Sequence, residues 1–151
     1  MKKNKEKVRE ESRKYNRINK DKRSEYIKGW RKSNKDKLQI YSLRRHTTKK
    51  GLPDNFSVEQ WGECKQHFGY TCCYCGKEEK LTQDHFIPLY NGGEYTKDNI
   101  LPCCKSCNSR KNNKDFFEWY PIQEFYSKKR VKKILKYLNY ESNRTQQLSI
   151  L

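Results

Sequence analysis

The chain has 151 residues, of which 32% are apolar, below the share of about 45–50% (a count that includes glycine) that is usual in globular proteins. This excludes one large core along the whole length and fits a small domain with an extension. The formal net charge is +17, and residues 1–50 hold +14 of it. The imbalance favours a polyanionic partner, because cation-rich surfaces release phosphate counterions on binding. A solubilising tail or attraction to anionic membranes is the alternative.

Hydropathy and cysteine usage exclude two further classes of protein. No apolar run reaches the roughly 18 residues needed to cross a bilayer, and no hydrophobic segment of a secretory signal follows the basic N terminus. The chain has seven cysteines, and an odd count with paired Cys-x-x-Cys spacing favours metal ligands in a reducing compartment over disulfides. We therefore expect a cytoplasmic protein that does not span a membrane.

A repeat of 15 residues runs through residues 1–50, which lack proline. Its three copies of Asn-Lys-Asp/Glu-Lys begin at Asn4, Asn19 and Asn34. Fifteen residues make slightly more than four helical turns, so each copy returns to nearly the same helix face. The segment is predicted to form one or two basic helices that lie along phosphates, with a coil-like tail that orders on binding as the alternative. The candidate nucleic-acid-binding residues here are Arg31, Lys32, Arg44 and Arg45.

A short helix is predicted next, after a boundary near Gly51 and Pro53. Ser57 and Gln60 have the spacing of a capping box, in which each side chain bonds the backbone N–H of the other residue. Apolar side chains follow at helical spacing, at Val58, Trp61, Cys64 and Phe68. Gly69 is expected to end this helix.

The order strand, loop, strand, helix is predicted for the central part of the chain. The strands are placed at 81–84 and 99–101, an irregular loop with Pro88 lies between them, and a helix begins near Cys104. The fold class is therefore α+β.

A C-terminal helix is predicted from about 121 to 139. Its apolar face consists of Ile122, Phe125, Tyr126, Ile134, Leu135 and Leu138, and lysines line the other side. The chain is thus divided into a basic extension (1–50), a central domain (51–120) and a C-terminal helix with a frayed tail (121–151).

Two Cys-x-x-Cys pairs, Cys72/Cys75 and Cys104/Cys107, predict a closed tetrahedral zinc site. The adjacent Cys73 and Cys103 fit that spacing less well and are interpreted as bystanders. A second candidate ligand pair, Cys64 and His67, is better explained as a core thiol and a surface imidazole of one helix. Disulfide pairing of the four cysteines is the alternative to zinc.

Asp84, His85 and Asn108 lie between and beside the cysteine pairs. A neutral imidazole, with an ordinary pKa of about 6.5, can accept a proton at neutral pH. Carboxylate and amide oxygens suit Mg²⁺ or Mn²⁺, with water and a substrate phosphate completing the coordination shell. The alternative for His85 is a zinc ligand or a packed core histidine.

These residues together resemble the HNH endonucleases of the ββα-metal fold. The resemblance covers roughly residues 70–114 and rests on Cys72/Cys75, Asp84-His85, Pro88, Gly92-Gly93, Asn99, Cys104/Cys107 and Asn108 with Lys111. It implies a small zinc-stabilised ββα domain of the four-cysteine subgroup. The last position of the motif is Asn rather than the His of the family's name. The basic repeat is also similar, more weakly, to extensions of small phage-type or homing HNH enzymes.

By this resemblance, the protein hydrolyses phosphodiester bonds in double-stranded DNA with a divalent metal. His85 is then the general base, Asp84 and Asn108 hold the catalytic Mg²⁺ or Mn²⁺, and Asn99 orders the loop by hydrogen bonds. A homodimer is retained as an option, because one active site per chain cuts one strand. Homing and restriction roles share this chemistry.

Arg110 and Lys111 follow the motif closely. They are expected to bind nucleic acid, either as ordinary contacts to backbone phosphates or with a share in stabilising the transition state. The competing hypothesis for the whole chain is a non-catalytic zinc module that binds nucleic acid, and an RNA-directed nuclease is a lesser option.

Overall fold

The computed structural model describes residues 2–140, and it has two compact units, one that ends at Gln39 and one that begins at Ile40. Seven α-helices and two strands alternate with short 3₁₀ turns in the described part of the chain. This mixture confirms the predicted α+β class. No helix within these residues combines the length and apolar character that a membrane span requires. The frayed tail predicted at the C terminus lies, from residue 141 onward, outside the described residues.

The basic extension is helical, and its helices follow the sequence repeat. Helices α1 (Lys2–Ile18), α2 (Lys20–Ser33) and α3 (Lys35–Thr48) are separated by the single residues Asn19 and Asn34. The prediction of one or two helices is therefore wrong in number, because each repeat forms its own helix.

Each joint between these helices has the same hydrogen bonds. The Asn19 side-chain amide donates to the carbonyl of Tyr15 (2.9 Å), and the Asn34 amide donates to the carbonyl of Trp30 (2.9 Å). The backbone N–H of each asparagine donates to the same carbonyl at 3.0 Å. An asparagine side chain that competes for the helix's own carbonyl interrupts regular helix geometry.

The second unit begins within α3. Ile40 and Thr47 are buried, and Arg44 donates two hydrogen bonds to the carbonyl of Phe56, at 2.8 and 3.2 Å. The structure thus divides the chain between residues 39 and 40, whereas the sequence predicts a boundary after residue 50.

Helix α4 (Val58–His67) begins and ends as predicted. Ser57 Oγ accepts from the Gln60 backbone N–H, and Gln60 Oε1 accepts from the Ser57 N–H, so the capping box is confirmed. Trp61 and Cys64 are buried on its inner face. Gly69 follows the helix with a φ of +64°, a left-handed conformation that favours glycine.

Two antiparallel strands and a helix form the central ββα unit. Strand β1 (Leu81–His85) pairs with β2 (Ile100–Cys104), with His85 opposite Ile100 at one end of the ladder. Helix α5 (Lys105–Lys111) starts directly after β2. All three elements were predicted, although β2 continues beyond residue 101, because residues 102–104 pair with residues 81–83 of β1.

The C-terminal segment differs from the prediction of one long helix. Helix α6 (Phe116–Trp119) and a 3₁₀ turn (Tyr120–Ile122) precede helix α7 (Lys128–Tyr137), which Ser127 caps by accepting from the Arg130 N–H. Ile134 and Leu138 are buried as expected, but Ile122 is 80% exposed, so the predicted apolar face was wrong at its start. Pro121 lies in the 3₁₀ turn rather than at the start of a long helix.

Candidate active site and metal centre

The thiols of Cys72, Cys75, Cys104 and Cys107 converge on one point. Their four Sγ atoms lie within 4.8 Å of one another, and the Cys75 and Cys104 sulfurs are 3.9 Å apart. Two sulfurs of a tetrahedral zinc site, each about 2.3 Å from the ion, stand about 3.8 Å apart. The donor set therefore fits a structural zinc ion. All seven cysteines are free thiols, which is the state that metal binding requires.

The thiols of the cluster differ in how readily they ionise. Burial raises the pKa of Cys75, and the hydrogen bond with Cys72, together with burial, raises the pKa of Cys107. Cys107 and backbone N–H groups donate hydrogen bonds to Cys72 and lower the pKa of its thiol to about 4. The turn after the first pair requires Gly76, whose φ is +79°. Cys73 and Cys103 are buried beside the cluster but are not part of it, as predicted.

The alternative ligand pair in α4 is not assembled. Cys64 is buried and lies 3.6 Å from the carbonyl oxygen of Ile100, whereas His67 is exposed and packs its ring on Phe68 and Tyr137. The interpretation as a core thiol and a surface imidazole is thus confirmed.

A cleft of about 410 Å³ opens beside the ββα unit. The end of β1 and helix α5 form most of its wall, with Leu43 of α3 and the loop after His85 completing it. Its polar lining consists of Thr82, Gln83, Asp84, His85, Lys105, Asn108, Ser109, Asn112 and Asn113. The three residues Asp84, His85 and Asn108, which the sequence singles out, therefore face one space.

His85 is a buried, neutral imidazole at the edge of this cleft. It is 9% exposed, its ring lies 5.7 Å from that of Tyr95, and its Nε2 has no hydrogen-bond partner within residues 2–140. Burial, with a smaller contribution from the charge of Lys111, lowers the pKa of His85 to about 4. A neutral imidazole of this kind can accept a proton.

Asp84 is held by a buried network. Its Oδ2 accepts a hydrogen bond from the Tyr74 hydroxyl (2.6 Å) and pairs with the Lys111 ammonium (3.1 Å). Burial raises the pKa of the Asp84 carboxyl, and Lys111 and Tyr74 oppose that rise. Two fixed donors on a desolvated carboxylate define its orientation.

The position of Lys111 corrects one sequence-based expectation. Its side chain is fully buried, and besides Asp84 its Nζ donates to the backbone carbonyl of His85 at 2.6 Å. A side chain in this position does not reach a phosphate on the surface. Arg110, the neighbouring candidate, is exposed on α5.

Asn108 is anchored by its amide nitrogen. Nδ2 donates to the Thr82 hydroxyl and to the carbonyl of Gln83, each at 3.0 Å. Because a backbone carbonyl can only accept, this pairing leaves the amide oxygen for a ligand. Asp84 and Asn108 thus offer the oxygen donors that fit Mg²⁺ or Mn²⁺.

Asn99 closes the loop between the strands. Its amide oxygen accepts from the Ile87 N–H (2.7 Å), and its Nδ2 donates to the carbonyls of Ile87 (3.0 Å) and Glu94 (2.8 Å). Gly93 packs so closely that an added Cβ would lie 1.7 Å from the Ile87 carbonyl oxygen. These contacts set the path of the chain as it leaves His85.

The basic candidates outside the cleft differ in their surroundings. Arg31 and Lys32 are exposed in the first unit and Arg45 in the second, whereas Arg44 is half-buried on the Phe56 carbonyl. Sequence reasoning missed Tyr74, Thr82 and Gln83. Of these three residues, only Tyr74 could have been found from the sequence, because it lies between the two cysteines of the first pair.

Two comparisons with known proteins bear on this geometry. Residues 72–115 match the sequence model of a family described as HNH endonuclease. These residues form an HNH endonuclease domain. The chain is also 35% identical, over 144 residues and 87% of its own length, to the "SPbeta prophage-derived putative HNH endonuclease YoqL" of Bacillus subtilis (strain 168). The matched part spans 60% of that relative, so the chain corresponds to less than two thirds of its length.

The HNH domain contains both the thiol cluster and the cleft. Its limits at residues 72 and 115 include β1, β2 and α5 together with the loop that Asn99 closes. The elements that the resemblance implies are therefore those that build the site.

Proposed function

We propose that the protein is a divalent-metal-dependent HNH endonuclease that hydrolyses phosphodiester bonds in double-stranded DNA. The observation that carries the proposal is the separation of two sets of ligands. The four thiols form one cluster, while the oxygens of Asp84 and Asn108 line a cleft together with His85. A soft structural site and a hard catalytic site use different donors, so the two ions do not compete.

The chain's own residues provide the base and the orientation. His85, neutral because its pKa is lowered, takes a proton from the water that attacks the phosphorus. Asp84 and Asn108 hold Mg²⁺ or Mn²⁺, which when bound acts as a Lewis acid and stabilises the departing 3′ oxygen. Arg110, exposed at the edge of α5, contacts a backbone phosphate.

The charge distribution supports DNA as the substrate. Residues 1–39 carry 16 basic and 6 acidic side chains. The structure describes helices from residue 2 onward, and the charged side chains from residue 5 to residue 39 are exposed. We propose that these basic helices bind phosphates without reading sequence. A homing or restriction role in a phage is consistent with the prophage derivation of the Bacillus subtilis relative. A homodimer, with one active site per chain, would allow both strands to be cut.

Nicking of a supercoiled plasmid tests the reaction. We expect wild-type protein with zinc bound to nick DNA when Mg²⁺ or Mn²⁺ is added, and His85→Ala to lose activity by about 100-fold to 10,000-fold, the range for a general base. His67→Ala is the matched control, because His67 lies outside the cleft. Equal nicking by wild type and His85→Ala would refute the proposal. Tight DNA binding without cleavage under either ion would favour the non-catalytic zinc module.

A further inference from the structure

Tyr74 belongs to the zinc turn and also contacts the proposed catalytic carboxylate. It lies between Cys73 and Cys75, and its side chain is fully buried. Its ring packs against the rings of Trp119 (5.1 Å) and Tyr120 (5.7 Å). The Tyr120 hydroxyl also donates to the Tyr74 carbonyl at 2.8 Å. Backbone and ring are thus both fixed, and the hydroxyl has a defined position.

That hydroxyl and the Lys111 ammonium contact the same carboxylate oxygen. Tyr74 donates to Asp84 Oδ2 at 2.6 Å, and Lys111 Nζ lies 3.1 Å from it. Both of these contacts are to Oδ2, and neither donor occupies Oδ1. The carboxylate is therefore held by one oxygen, and the other is left for a ligand in the cleft that Asp84 lines.

We propose that Tyr74 is a positioning residue that couples the thiolate site to the divalent-cation site by orienting Asp84, so that Asp84 binds the cation through Oδ1 alone. The inference rests on the proposed function and deepens it. Lys111 extends the arrangement, because the same ammonium also bonds the carbonyl of His85 at 2.6 Å. The cation ligand and the base are thereby held by one buried group.

A substitution of Tyr74 tests this coupling more directly than a substitution of Lys111 does. Replacing Lys111 removes a positive charge next to the cation site, which favours cation binding, and at the same time frees the carboxylate, which opposes it. The Tyr74 hydroxyl is neutral, so Tyr74→Phe removes one hydrogen bond and changes no charge. Partners of ligating side chains typically contribute 10-fold to 100-fold to metal affinity.

The test is a calorimetric titration of Mn²⁺ into the full-length, zinc-loaded protein. We expect Tyr74→Phe to bind Mn²⁺ about 10-fold to 100-fold more weakly, with the zinc content unchanged. Tyr137→Phe is the matched control, since it also removes a buried hydroxyl, from a ring that packs on His67 and Phe68 rather than on Tyr74. It should bind Mn²⁺ as the wild type does. Asp84→Ala removes the proposed cation ligand, so the heat that is lost in this variant is the heat of Mn²⁺ binding at the site.

The outcomes separate this inference from the proposed function. If Asp84→Ala abolishes Mn²⁺ binding while Tyr74→Phe leaves it unchanged, the coupling is overturned and the nuclease proposal stands. If Tyr74→Phe weakens Mn²⁺ binding but the wild type cleaves no DNA, the coupling holds and the nuclease proposal fails. Tyr74→Met tests the same bond should the Phe variant lose zinc. Loss of zinc from both would also overturn the inference, because Tyr74 would then act on the fold.

Discussion

At His85, burial and a neighbouring cation act in the same direction on the imidazole. Both lower the pKa, to about 4 from the ordinary 6.5. Because the base must be neutral, a lowered pKa keeps it active as the pH falls through 6.5. We expect the acidic decline of kcat/KM for DNA cleavage to have its midpoint well below pH 6.5. A profile measured between about pH 4 and 8 that falls with a midpoint near 6.5 would contradict this prediction.

At Lys111, the prediction concerns stability. The side chain is fully buried and pairs with Asp84, and removing one partner of a buried pair leaves the other charge uncompensated. We expect Lys111→Met to lower the free energy of unfolding by about 3–5 kcal/mol, measured by urea denaturation of the zinc-loaded protein. Lys105→Met on the same helix replaces an exposed lysine and should change stability by less than about 0.5 kcal/mol. Equal stability of the two variants would show that the buried pair contributes little.

At the scale of elements, the loop between the two strands leaves no room for a side chain at Gly93. A Cβ at Gly93 would lie 1.7 Å from the Ile87 carbonyl oxygen and 2.9 Å from Asn99 Nδ2, so the loop must move. We expect Gly93→Ala to destabilise the protein by about 1–3 kcal/mol, as overpacking does, and to lower nicking activity. Thermal unfolding and the plasmid assay measure the two effects.

A second glycine gives the control. Gly62 lies inside α4, and nothing lies within 4 Å of the position of an added Cβ. Alanine is favoured over glycine in a helix interior, so Gly62→Ala should raise stability by about 0.5–1 kcal/mol. Destabilisation by both variants to the same degree would mean that the close approach at Gly93 has no special role.

The elements that sequence predicts well are those with local signals. The capping box at Ser57, the strand that carries Asp84 and the helix after Cys104 are each encoded in neighbouring residues. The predicted start of α7 was wrong, because Ile122, Phe125 and Tyr126 have helical spacing although the chain forms a 3₁₀ turn at Tyr120–Ile122 and the helix begins only at Lys128. Lys111 was misassigned because a lysine in a basic helix normally points to solvent, and only tertiary packing places it on Asp84.

At the scale of the whole molecule, the first unit is expected to supply most of the DNA affinity. A protein that begins at Ile40 lacks 16 basic side chains but keeps the buried part of α3. We expect weaker DNA binding and a shallower salt dependence, by about 0.9 in log K per log salt for each phosphate that the shortened protein no longer binds. Fluorescence anisotropy between about 50 and 200 mM salt measures both. Unchanged affinity and slope after this truncation would refute the prediction.

The joints at Asn19 and Asn34 also make the extension modular. Each copy of the repeat corresponds to about 22 Å of helix, and the first two copies end at an equivalent asparagine–carbonyl pair. Duplication or loss of one copy would therefore change the helical extension by whole repeats and leave residues 72–115 untouched. The number of copies can thus vary in evolution without any change to the residues that line the cleft.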